Sequence, residues 1–252
     1  MASGMARQWD VNDFDCIADV YDQLVSWAPY KRWVGALEKK LRARGLRRGD
    51  WILDAACGTG LSAVPWAKKG YRVVGADVSE PMLQAARRRA SRAGQAVEFL
   101  RQDVTDLHPG RTFQLAVCMH SGLDYILDDG RLRQAFRSLR GCLEAGGLLA
   151  FDKCLDVPSF YREDYTESRT IPSGTAEFHY RWDRTRRLME QRCVVSRTDG
   201  PEPRRTEVIY HLKATLPADL EQWLAEAGFE VLEPVGEFSV ADPGMGIFRA
   251  VT

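Results

Sequence analysis

Apolar positions along this chain switch repeatedly between two periods. Helical spacing runs from about Cys16 to Leu24 (Ile17, Val20, Tyr21, Leu24) and from Tyr30 to Leu41 (Trp33, Val34, Leu37, Leu41), where Arg44-Gly45 stops it. Short apolar runs then alternate with helical stretches. The pattern predicts strand 51–55, helix 60–69, strand 72–76, helix 79–93, strands 97–101 and 113–119, helix 129–143 and strand 147–152. Such alternation predicts a parallel sheet with helices on both faces. Ser79 is a suitable N-cap, with Glu80 and Pro81 in the first turn behind it. Leu143-Glu-Ala-Gly-Gly147 reads as a helix end turning into the next strand.

The pattern changes after Asp152. Residues 153–175 are polar, aromatic and irregular, and lead into alternating stretches at 176–182, 188–196 and 207–213. The turns between them hold Asp183-Arg184 and Asp199-Gly200-Pro201, so an antiparallel meander is expected. Helical spacing returns at 217–227, closed by Gly228, and strands follow at 229–234 and near 246–251. The expected organisation is a helical lid over 1–45, a core over 46–152, a β-rich insertion over 153–213 and a closing helix and strands over 214–252. A connection that leaves an open α/β sheet at the carboxyl ends of its strands is placed to roof a ligand site.

One stretch carries chemistry. Trp51-Ile-Leu-Asp-Ala-Ala-Cys-Gly-Thr-Gly60 runs from a strand into a tight turn, and a second strand ends at Asp77, 17 residues past Gly60. A strand, a glycine turn, a helix and a strand tipped with a carboxylate form the nucleotide-binding half of a Rossmann-like unit. The turn lacks the third glycine of a dinucleotide fingerprint, and the P-loop lysine is absent. Asp54 ahead of the turn would repel a pyrophosphate but suits a cationic ligand. The string Asp54-Ala-Ala-Cys-Gly-Thr-Gly60 resembles the first motif of class I S-adenosylmethionine (SAM)-dependent methyltransferases. It departs from the general pattern in Ala56, where a glycine often stands. Ala18-Asp-Val-Tyr-Asp-Gln-Leu24 and Tyr30-Lys-Arg-Trp33 are similar to the opening of bacterial small-molecule methyltransferases, including those acting on amines and amino sugars. The likeness spans about residues 14–152 and weakens beyond.

The resemblance implies an α/β, Rossmann-like class I methyltransferase fold, mostly parallel with an antiparallel last strand, and SAM as cofactor. It assigns Asp54, Ala56, Gly58 and Gly60 to the cofactor turn and Asp77 to the ribose hydroxyls. Asp103 takes the adenine amino group, Val104 packs on the ring, and Tyr21 reaches the methionyl carboxylate from the lid. Trp33, Val78, Met82 and Met119 join the cofactor set, although hydrophobic packing explains Trp33, Val78 and Met82 nearly as well.

Methyl transfer requires the nucleophile to lie in line with the activated carbon, so positioning dominates. The fourth-strand tip, Val117-Cys-Met-His-Ser-Gly-Leu-Asp-Tyr125, is where acceptor-facing groups are expected. His120, Asp124 and Asp152 are the candidates for proton transfer. His120, Tyr125, Tyr161 and Tyr180 are the candidate acceptor contacts. Each has a plainer alternative: contact with the cofactor for His120, helix capping for Asp124, an ordinary half-buried sheet for the tyrosines. Nitrogen is preferred over oxygen as the methylated atom, on the resemblance alone. RNA or protein methylation is the rival activity, and a SAM-binding sensor or inactive partner subunit the non-enzyme alternative. No N/D-P-P-Y motif and no Pro-Cys nucleophile pair occurs, which lowers nucleic-acid substrates.

Composition adds boundaries. Lys plus Arg and Asp plus Glu are 35 each in 252 residues, so net charge points to no nucleic-acid partner. No apolar run approaches the ~18 residues of a membrane span, and no secretory leader is expected. The six cysteines are scattered without metal spacing, which predicts free thiols, no metal and a cytoplasmic setting. A monomer or homodimer acting on a small molecule is the expected arrangement.

Overall fold

Five strands line up in parallel, and burial of the inner ones explains why they read as continuous rather than alternating, while the edge strand at 97–101 is half exposed. The computed structural model describes residues 11–155, 164–236, 242 and 244–251. β1 (Trp51–Ala55), β2 (Arg72–Asp77), β3 (Val97–Arg101), β4 (Phe113–Cys118) and β5 (Leu143–Phe151) pair in parallel. β11 (Gly246–Ala250) runs antiparallel to β5, and β10 (Phe229–Glu233) completes the edge. The order β10-β11-β5-β4-β1-β2-β3 places β1 and β4 at the centre. Adjacent residues of β1 serve opposite layers. Ile52 packs with Trp33, Leu37 and Leu41 of α2 (Tyr30–Arg42) and Trp66 of α3 (Ala63–Lys68). Leu53 packs in the layer of Leu132 and Phe136 of α5 (Asp129–Cys142) and Leu224 of α6 (Pro217–Glu226). α4 (Glu80–Arg92) lies along β3, its first turn capped by the Ser79 hydroxyl, which accepts from the Met82 N–H.

Three expectations change in detail. The helix end expected at 143–147 is a bulge inside β5: Phe113 pairs with Leu143 but Leu115 with Leu148, and Gly146 takes φ 74°. The helix expected over 16–24 divides into a 3-10 turn at Val11–Ile17 and a single turn, α1 (Tyr21–Leu24). Its acidic side chains are drawn to the core, Asp15 accepting from Ser79 and Asp22 from Thr59 at 2.7 Å, so the segment follows the core surface.

The meander gains a strand. β6 (Tyr165–Ile171), β7 (Gly174–Asp183), β8 (Leu188–Arg197) and β9 (Arg204–Lys213) form one antiparallel sheet. β6 is a sheet edge on which polar residues occupy both faces, so its alternation does not stand out in the sequence. The inner face of this sheet, with Phe178, Cys193, Val195, Val208 and Leu212, closes over Ile17, Val20 and Leu24. The lid segment therefore lies between the insertion and the core. Among the described residues no helix is long and apolar enough to cross a membrane.

Candidate active site

The carboxyl ends of β1, β2, β3 and β4 open into a cavity of about 460 Å³. The turn after β1 is held in the left-handed region at Ala56 (φ 54°), Gly58 (φ 52°) and Gly60 (φ 77°). That conformation turns the Gly58 N–H onto Asp77 Oδ2 at 2.8 Å, and the other oxygen accepts from the Ser79 N–H at 3.0 Å. Asp77 is thus fixed at the cavity wall; burial raises its carboxyl above the usual range, and the backbone donors oppose that shift. Gly60 does not line the cavity. A Cβ there would lie 3.2 Å from that of Ala86, so this glycine lets the turn lie on α4.

Tyr21, Asp54, Ala56, Gly58, Asp77, Val78, Met82, Asp103, Val104 and Met119 all line the cavity. Trp33 does not. It is buried one layer back, its ring against those of Tyr30 and His120.

The floor of this half is acidic. Asp54 is 1 % exposed, and burial raises its carboxyl to about 8; among the described residues Oδ2 has no hydrogen-bond partner. A buried oxygen without a donor at a cavity wall is a vacancy for a cationic group. Asp103 accepts from Thr105 through Oδ1 and from Arg131 through Oδ2, at 2.8 Å in each case. Three acidic side chains against one guanidinium suit a cationic ligand, which favours their ionised forms, and disfavour a pyrophosphate. The residues present therefore fit SAM: Asp54 would face its ammonium, Asp77 the ribose diol, and Val78, Met82 and Val104 the base. The lid is fastened to the same half, Asp22 accepting from Thr59 and pairing with Arg89.

The other half is aromatic and neutral. His120 and Ser121 follow β4 with φ 65° and 63°, two consecutive left-handed residues. Asp152, at the end of β5, holds this strained corner by accepting from the Ser121 N–H at 2.7 Å and from the His120 main chain. Asp152 is buried behind the corner and is not part of the cavity wall. The His120 ring does face the cavity, framed edge-on by Trp27, Tyr30 and Trp33. Burial lowers its pKa to about 4.

Asp124 lies apart from the cavity. Its Oδ1 meets Lys153 Nζ at 2.7 Å with both side chains inaccessible to solvent, and it also accepts from the Cys154 N–H. Lys153 donates in addition to the Lys213 carbonyl, so this buried pair ties the fourth-strand tip to the insertion. Tyr125 lines the cavity beside Phe14 and Tyr210, with Phe14 and Tyr210 stacked at 5.1 Å. Tyr180 is buried within the insertion, stacked on Tyr165 and donating to Glu167. Tyr161 lies outside the described residues.

Several lining residues escaped the sequence reading, among them Phe14, Tyr30, Tyr210 and His211. Only Tyr30 carried a usable clue, since it opens the Tyr-x-x-Trp segment.

Residues 52–147 match a methyltransferase domain family. A protein of Geobacillus sp. (strain WCH70), assigned as a methyltransferase, is 34 % identical over 91 % of this chain and 94 % of its own. Among solved structures, a SAM-dependent methyltransferase from Clostridium acetobutylicum superposes with TM-score 0.81 at 21 % identity, covering 95 % of this chain and 99 % of that one. The sugar N-methyltransferase KedS8 from Streptoalloteichus sp. superposes with TM-score 0.76 at 23 % identity, covering 100 % and 98 %. With its acidic cofactor cavity and the shared fold, this chain belongs to the SAM-dependent methyltransferases and takes its methyl group from SAM.

Proposed function

We propose that the protein methylates a small organic acceptor, at nitrogen in preference to oxygen. Bound SAM supplies a methyl group already activated by its sulfonium. The chain's part is to hold the acceptor in line and to keep water out. The cavity sits at the low end of the ~300–1,000 Å³ typical of small-molecule sites and must house both ligands, which favours a compact acceptor.

The observation that carries the preference for nitrogen is the neutrality of the acceptor half. The carboxylates nearest to it are turned to other tasks: Asp124 pairs with Lys153, Asp152 lies behind the wall and accepts from the main chain of residues 120 and 121, and Asp128 accepts from the Arg131 N–H as a helix cap. An ammonium entering such a space loses hydration without gaining an anion, so the free amine, which is the nucleophilic form, is favoured. A free amine attacks without a base, whereas a hydroxyl needs one. His120, a weak base at about 4, is poorly matched to that task. The shared fold of a sugar N-methyltransferase supports the same reading.

The test is transfer of labelled methyl from SAM to parallel panels of amines and amino sugars, matched alcohols, bulk tRNA and protein. Label is expected in the amine panel. Label in tRNA or protein alone would reverse the reading, and cofactor binding without transfer to any panel would point to a sensor or inactive subunit.

A further inference from the structure

The Tyr30 hydroxyl lies 2.6 Å from His120 Nδ1, and the Tyr21 hydroxyl in turn hydrogen-bonds that of Tyr30. The proton between Tyr30 and His120 can be placed on physical grounds. An imidazole N–H donating to oxygen prefers about 2.9–3.0 Å, whereas an O–H donor settles closer. A phenol is also the stronger acid and an imidazole nitrogen the stronger acceptor. Tyr30 therefore donates to Nδ1, and in a neutral ring the remaining proton sits on Nε2. Burial keeps all three groups uncharged, raising both phenols and lowering the imidazole. Among the described residues Nε2 has no hydrogen-bond partner, while the ring lines the cavity.

We propose that Tyr30 is a positioning residue that locks His120 with its proton on Nε2, so that the imidazole meets the acceptor as an N–H donor and not as its base. This rests on the reading of His120 as an acceptor-facing group, and it supplies the reason that amines fit the site better than hydroxyls. A hydroxyl acceptor would find no lone pair on His120 to take its proton. The other groups around the ring do not compete for the role. Trp27 and Trp33 offer ring edges, and Asp152 is engaged with the main chain.

The lock is read directly by long-range proton–nitrogen NMR on the full chain labelled with nitrogen-15 histidine, free and with S-adenosylhomocysteine. The sequence holds four histidines, and the His120→Gln variant identifies the signal of His120 by its loss. The expected wild-type result is a single tautomer, proton on Nε2, unchanged between pH 5.5 and 8. Tyr30→Phe keeps the ring and removes one oxygen. It should mix the tautomers and raise the protonation midpoint of His120 by about one pH unit, the size of one lost hydrogen bond. With an amine that is turned over, kcat/KM of both proteins falls as the amine protonates, and the variant should add a second acid limb at the raised His120 midpoint that the wild type lacks. A proton on Nδ1 in the wild type, or an unchanged His120 in Tyr30→Phe, overturns the proposal. If no amine accepts a methyl group the function proposed above falls, while the tautomer measurement still decides the role of Tyr30.

Discussion

The two halves of the cavity are built by opposite strategies. The cofactor half comes mainly from one continuous stretch, from Asp54 to Asp103, and works with carboxylates and left-handed backbone. The acceptor half draws Phe14 and Tyr30 from the lid, His120 and Tyr125 from the fourth-strand tip, and Tyr210 from the insertion. It works with rings that carry no charge. A half that reads a constant ligand can be encoded locally, whereas a half that reads a particular acceptor is assembled from distant segments.

The sharpest way to break this division is to cut what holds the acceptor half together. Lys153→Ala leaves Asp124 buried and unpaired, and should cost about 3–5 kcal/mol in denaturant unfolding, whereas Lys153→Met with Asp124→Leu should recover most of it. Next in size, Asp54→Asn removes the ionisable partner of the cofactor ammonium. It should weaken S-adenosylhomocysteine binding about 10- to 100-fold by calorimetry, with the fold intact.

The same residue gives a pH signature. In the free protein Asp54 keeps its proton up to about 8, against about 4 for an exposed aspartate. The folded state therefore holds an extra proton between those values, and stability of the free protein falls as pH rises through them. A cationic ligand favours the ionised form, so its affinity should climb between about pH 5 and 8, approaching tenfold per unit. Calorimetry in buffers of different ionisation enthalpy should show a proton released on binding, and Asp54→Asn should show none.

On the acceptor side, Tyr125→Leu should raise KM for an amine about fivefold, worth roughly 1 kcal/mol, and leave cofactor affinity unchanged. The smallest effect is expected at Ala56, whose φ of 54° suits glycine. Ala56→Gly relieves that strain but loosens the unfolded chain, for a net gain of about 0.5 kcal/mol in unfolding measurements.

Legibility in the sequence follows the same division. Strand, turn and carboxylate between Asp54 and Asp77 obey local rules of spacing and backbone conformation, so ten residues of the cavity wall could be named from the residues and the resemblance. Asp124 and Asp152 looked like proton carriers because both end a strand or its following turn. Their burial and partners depend on Lys153 and on the left-handed corner at His120 and Ser121, which no local rule announces. Phe14 and Tyr210 stack across nearly 200 residues of sequence. The edge strand β6 escaped because polar residues on both of its faces erase the alternation that marks a strand.

The position of the lid has a consequence for how the chain acquires its structure. Ile17, Val20 and Leu24 find their apolar partners on β7, β8 and β9, and Arg197 of β8 pairs with Asp19. During synthesis these early residues emerge long before the surface that receives them. They wait in the open until the insertion sheet exists, and closing so long a loop is slow. The nucleotide-binding strands can assemble meanwhile, which makes docking of residues 11–24 a late folding step.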